Sequence, residues 1–260
     1  MCRRDELADV GKSDTTKAES VDLACVRSVS ALLPLLRDSK AIFVDLRSRA
    51  EHEKFHPAGS FFATAPELAS KPYWYKKTVV LMGGGSDDVA LLSVCGRLKQ
   101  RGYESVHVMQ GGVLSWIGRQ LPINGHPPDV LALSGMSASE LWASGQSDFY
   151  LKLVDAKDKS FLPMLKGAVE LARITPDGLR KALEDQQARR SKDAQPWLGV
   201  VLVSSSPMTA AAWMELQQAV APAPLTVFRQ GHKAFVKDSA TQVAIWQSRE
   251  QGPKRPACNR

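Results

Sequence analysis

Six short apolar runs set what this chain can become: AIFVDL at 41–46, TVVLM at 78–82, SVHVM at 105–109, YLKLVD at 150–155, GVVLV at 199–203 and LTVF at 225–228. They have strand length, and most are apolar throughout rather than alternating, as strands covered on both faces are. Between them lie helical patterns. Residues 26–37 (VRSVSALLPLLR) have helical spacing, and 87–101 read as a helix closed by Gly102. Ser137 with Glu140 forms a capping box ahead of another helix, and AAAWMELQQAV follows the fifth run. Strands alternating with helices predict an α/β fold, a parallel sheet with helices on both faces.

The pattern runs twice. Asp45 and Asp155 are 155 − 45 = 110 positions apart, Met82 and Ser204 are 204 − 82 = 122 apart, and Gly112 and Gly231 are 231 − 112 = 119 apart. An offset of that size is a duplication at domain length, not a solenoid repeat. The expected layout is a loose polar leader at 1–20, a first domain at 21–123, a Pro- and Gly-bearing linker at 124–136, a second domain at 137–250 and a tail at 251–260. A linker this short predicts two domains packed pseudo-symmetrically.

Composition narrows the function classes. Hydrophobic residues are 44% and charged residues 23% of the 260, a globular profile. The net charge is +7, but the basic residues are spread out, concentrating only at Arg189, Arg190 and Lys192 and at Lys254 and Arg255. That argues for solvated faces and against a nucleic-acid groove. No run reaches the roughly 18 apolar residues of a membrane helix, and the first 30 residues hold no signal-peptide core. The chain is therefore expected to be cytoplasmic by default, or periplasmic if a leader is missing. Cys2, Cys25, Cys95 and Cys258 form no CxxC and no metal spacing. Cys95, among Val89, Leu91, Leu92, Val94 and Leu98, is expected to be buried as a small hydrophobe, and a staple between Cys25 and Cys258 stays open. No cofactor is expected.

Several motifs resemble one family. DLRSRAEHEKFHPAGS at 45–60 is similar to a rhodanese pattern, here Asp45, Arg47, Glu51, His56 and Gly59. TVVLMGGGSDD resembles the rhodanese active-site loop, and VMQGGVLSWIGRQLPI resembles the closing signature, here Gly111, Gly112 and Trp116. The second half follows the same order more thinly, through Asp155, KGAV at 166–169, the Ser204 loop, and Gln230, Gly231 and Phe235. The resemblance spans about 25–250. It implies two rhodanese-like domains in tandem, like those of the thiosulfate and mercaptopyruvate sulfurtransferases.

It also implies a cysteine opening each six-residue loop, a thiolate that takes up sulfur as a persulfide, held by inward-pointing amides at a helix N-terminus. Neither loop has one. The first is Met82, Gly83, Gly84, Gly85, Ser86 and Asp87, and a thioether cannot carry a persulfide. Asp87 stands where the family has an arginine, and Asp88 follows, placing two negative charges on the first helical turn. Ser86 or Asp87 is expected to cap that helix. The second loop is Ser204, Ser205, Ser206, Pro207, Met208 and Thr209, with no acidic residue beside it in sequence. The expected function is a catalytically degenerate tandem rhodanese-like protein, a pseudoenzyme binding a protein partner or a small anion. The alternatives are a sulfurtransferase using another cysteine, and oxyanion binding at the Ser204 loop. His52 and His56 have a spacing that can chelate a metal on a helix, although turn packing explains His56 without one. Tyr73, Trp74 and Tyr75, flanked by lysines, are expected to pack at a sheet edge rather than form a recognition patch.

Overall fold

A computed structural model describes residues 21–38, 40–190 and 196–250, with only the backbone of 242–243 and 246–250. The leader expected at 1–20 and the tail at 251–260 lie outside the described residues. After a 3-10 turn at Leu23–Cys25 come β1 (Val26–Arg27), α1 (Val29–Arg37), β2 (Ala41–Asp45), α2 (Arg49–Lys54), β3 (Phe55–Pro57), β4 (Phe61–Phe62), α3 (Ala65–Ala69), β5 (Thr78–Met82), α4 (Asp88–Gln100), β6 (Ser105–Met109), α5 (Gly112–Gly118), β7 (Ile123–Gly125) and α6 (Val130–Leu133). The second half adds α7 (Ala138–Gly145), β8 (Tyr150–Asp155), a 3-10 stretch at Ala156–Met164, β9 (Val169–Leu171), α8 (Pro176–Arg189), β10 (Gly199–Val203), α9 (Ala210–Val220), β11 (Leu225–Phe228) and α10 (Gly231–Glu250).

Two parallel sheets result. The first has the order β1-β6-β5-β2-β4 and the second β11-β10-β8-β9. Every residue of β8 and β10 is buried, as continuous apolar strands require when helices cover both faces. The helical pattern at 26–37 is divided: Val26 and Arg27 pair with Val108 and Met109, and the helix starts only after Ser28, whose side chain accepts from the Ala31 amide. The stretch expected to be a linker is built into the fold. β7 pairs antiparallel with β3, α6 follows, and Gly135 bridges to Val227.

The halves are not pseudo-symmetric but stacked head to tail. The carboxyl ends of β5 and β6 face the amino ends of β8, β10 and β11. Gln110, just after β6, donates from Nε2 to the carbonyl oxygens of Trp197 (2.8 Å) and Leu198 (3.1 Å), just before β10. The Ser86 hydroxyl donates to Glu140 Oε1 at 2.9 Å. Gly111 abuts Pro224, where a Cβ would come within 2.6 Å of the proline ring. One hydrophobic cluster accordingly runs through both halves, from Leu81, Leu92 and Val108 to Leu141, Val154 and Phe228. Among the described residues no helix is long and apolar enough to cross a membrane.

Candidate functional site

The motif residues at 45–60 make a buried structural knot. Asp45, at the end of β2, has no exposed surface and receives Arg47 in a fork, Nε to Oδ1 at 3.0 Å and Nη2 to Oδ2 at 2.7 Å. Arg47 also reaches the Phe55 carbonyl at 2.8 Å, and His52 Nδ1 lies 2.9 Å from Asp45 Oδ2. Burial alone would raise the Asp45 pKa, but the Arg47 and His52 hydrogen bonds outweigh it and hold the carboxyl below its usual value. Glu51 closes a capping box with Ser48. Gly59 takes a left-handed φ of 82°. Trp116 Nε1 donates to the Pro122 carbonyl at 2.9 Å.

His52 and His56 do not share a helix face, because α2 ends at Lys54 and His56 belongs to β3. Their rings stack at 4.0 Å with 11° between planes, and His56 Nδ1 is engaged by the His52 carbonyl. The two rings pack on each other within the turn. Among the described residues no group of three His, Cys, Asp or Glu side chains is placed to hold one. Trp74 and Tyr75 pack against the core while Tyr73 is 66% exposed.

The first loop lies at the seam. Met82 has no exposed surface, and strand alternation turns its side chain toward Phe43, Met109 and Trp116. Gly112, at φ 44°, lets the next turn close on this loop: a Cβ there would fall 2.2 Å from the Gly83 carbonyl oxygen, which accepts from the Val113 amide at 2.9 Å. Asp87 does not cap α4 with its side chain. Its carboxylate folds back into the loop, Oδ1 accepting from the Gly85 amide at 3.2 Å, so close over Gly83 that no Cβ would fit there. Asp88 departs further from expectation. It is 1% exposed, Oδ2 accepts from the Gly111 amide at 2.8 Å, and Oδ1 is buried without a partner. A dipole gain of about 0.3–1 kcal/mol is outweighed by the several kcal/mol that burying a carboxylate costs. Burial therefore pushes the Asp88 carboxyl well above its usual value.

The second loop opens at the carboxyl end of β10, an interior strand of the second sheet. The sequence places no acidic residue beside it, but the fold brings two. The Ser204 and Ser206 hydroxyls each donate to Asp155 Oδ2 at 3.0 Å. Asp158 Oδ2 accepts from the Ser205 amide at 2.7 Å and its hydroxyl at 3.0 Å. Burial would raise Asp155, but the Lys157 amide and the Ser206 and Ser204 hydroxyls keep it below the usual carboxylate value. Ser204 is 1% exposed, and no histidine reaches it: His232 lies edge-on to Phe161. Thr209 caps α9 by accepting from the Ala212 amide. Beside the loop is an open cavity of about 660 Å3, bounded by Ser206, Met208, Arg173, Ile174, Glu215 and Leu216. At 204–206 the three hydroxyls and the Ser205 amide are spent on the chain's own carboxylates, the Ser206 amide on Ser204 Oγ and the Ser204 amide on the Phe228 carbonyl.

The cysteines differ from expectation as well. Cys95 is buried, but joined to Cys25 in a disulfide with a Cα–Cα distance of 6.6 Å across 70 residues. Pairing of Cys25 with Cys258 is excluded by that bond, and Cys258 lies outside the described residues. Sequence spacing could not reveal it: Cys25 sits at the chain's entry to the first sheet and Cys95 in the third turn of α4, adjacent only once β1 has paired with β6.

Residues 28–119 match the family model of the rhodanese-like domain. The rhodanese-like region thus contains the Asp45 knot, the Met82 loop and the Gly111–Gly112 turn. Among solved structures, the chain is similar to the rhodanese-like domain of the Alr3790 protein from Anabaena sp., at 20% identity and a TM-score of 0.35 over 39% of this chain and 80% of that one. It is also similar to a thiosulfate sulfurtransferase from Pseudomonas aeruginosa (14%, TM-score 0.34, 83% of this chain and 42% of that one). A third likeness is to SseA from Escherichia coli, a 3-mercaptopyruvate sulfotransferase (13%, TM-score 0.33, 78% and 97%). Such low identities and TM-scores say nothing of activity. No curated protein matches the chain.

Proposed function

We propose that this is a catalytically degenerate rhodanese-like protein, two units in tandem, acting as a binding or regulatory module without persulfide chemistry. One observation carries the reading: both loops that would cradle a thiolate and an anionic sulfur donor are filled by the chain's own carboxylates, Asp87 in the first and Asp155 with Asp158 in the second. Neither loop bears a thiol, and Met82 points into the core. A disulfide leaves Cys25 and Cys95 without a free thiolate. The same disulfide supports an oxidising compartment such as the periplasm over the cytoplasm.

The test is thiocyanate release from thiosulfate and cyanide, with 3-mercaptopyruvate as a second donor. No turnover above the uncatalysed rate is expected from the purified chain. Turnover abolished by Cys2→Ser or Cys258→Ser would overturn the reading and identify the carrier.

A further inference from the structure

Asparagine followed by glycine occurs once in the chain, at Asn124 and Gly125 in β7, and both residues are exposed. The structure requires the glycine: its φ is 86°, and a Cβ there would collide with the Lys54 carbonyl oxygen. Asparagine is thermolabile because the main-chain nitrogen of the next residue can attack its side-chain carbonyl. A glycine at that next position puts no Cβ in the way.

The pairing of β3 with β7 leaves the attacking nitrogen free. Positions in an antiparallel pair alternate between exchanging both hydrogen bonds and exchanging none. The bonds from the Ala58 amide to the Pro122 carbonyl and from the His126 amide to the Lys54 carbonyl, both 3.0 Å, set the phase. His56 and Asn124 are then the bonded position, and Phe55 faces Gly125 without a bond. The Gly125 N–H lies outside the ladder and has no partner among the described residues. The leaving nitrogen is held as well. His56 Nδ1 donates to the His52 carbonyl at 2.8 Å, so Nε2 is the acceptor and receives Asn124 Nδ2 at 3.3 Å. That nitrogen therefore sits beside an imidazole able to relay a proton.

We propose that Asn124 is a modification site, deamidated in the folded protein by attack of the Gly125 amide nitrogen. The bond from Gly125 N to Asn124 Cγ forms, the Cγ–Nδ2 bond breaks, and Nδ2 leaves as ammonia with the proton that Gly125 gives up. Water then opens the cyclic imide at either carbonyl, giving aspartate or isoaspartate. Isoaspartate carries the main chain through Cβ, one atom longer, and so undoes the register that joins β7 to β3. The site is independent of the two loops and of their chemistry.

The experiment incubates the full chain in neutral buffer beside the free peptide LPINGHPP, residues 121–128, and reads digests by mass spectrometry. Residue 124 of the folded chain is expected to gain one mass unit at no less than a tenth of the peptide's rate, with isoaspartate among the products. Only Asn259 shares the side chain, so the intact mass of Asn124→Gln supplies the background and should stay nearly constant. Slower conversion in the folded chain, or an equal mass gain in Asn124→Gln, would overturn the site. In the isoaspartyl fraction the Ala58 and His126 amides are expected to exchange with deuterium at least tenfold faster than in the unconverted chain. Equal exchange would overturn the uncoupling of β7 from β3.

Discussion

A carboxyl with 1% of its surface exposed does not behave as a helix-dipole charge, and Asp88 makes that measurable. An unfolded aspartate ionises near 3.9, whereas the folded one is held well above its usual value by burial. Above about pH 4 the folded state must therefore keep a proton that the unfolded state has lost, and the cost grows with pH up to the folded pKa. Asp88→Asn is expected to stabilise the protein at pH 7 by about 1–3 kcal/mol, with the gain vanishing as pH falls toward 4. Urea unfolding at the two pH values measures it, and no gain at pH 7 would mean the carboxylate is charged and paired. Arg47 is the opposite case. Arg47→Ala strips the buried Asp45 of its fork and should cost about 3–5 kcal/mol, read in the same unfolding experiment. Asp45 and Arg47 were legible as positions of one motif, but their fork was not. The burial of Asp88 was not legible either, because only packing removes water from it.

At the scale of elements, what could be read depended on how local the signal was. The six strands and the capping box at Ser137 follow from side-chain periodicity and from hydrogen bonds spanning three residues. Helix α8 escaped, since PDGLRKALEDQQAR buries only Leu179 and Ala182 and its apolar stripe is thin. Its signal lay at its start, Thr175 as cap with Pro176 in the first turn. The loops were legible in what they lack and illegible in what fills them. Restoring the missing atom should therefore not restore the chemistry. In Met82→Cys, Asp87→Arg the new thiol sits on the core side of β5, where burial raises its pKa. It is expected to react with a disulfide reagent in the folded protein at least tenfold more slowly than after unfolding, and to give no thiocyanate. Fast reaction would show that the loop opens.

Across the whole molecule, the disulfide and the seam act together. Closing 70 residues with one bond is worth about 4 kcal/mol in the chain-entropy model. Reduction, or Cys25→Ser with Cys95→Ser, should lower the unfolding midpoint accordingly. Because one hydrophobic cluster spans both sheets, the oxidised chain is expected to unfold in a single calorimetric transition. Two resolved transitions would mean that the head-to-tail contact is not cohesive. By itself, the sequence determined the six longest of the eleven strands and four of the ten helices among the described residues, the parallel α/β class and the absence of a cysteine from both loops. Each of these is set by residue type or by neighbours a few positions apart. Tertiary structure alone decided the partner of Cys25, the arrival of Asp158 at Ser205 across 47 positions, and the seam joining Gln110 to Trp197 across 87. Those contacts exist only after distant segments have been brought together, and no local pattern encodes which of the many possible closures will bury the most surface.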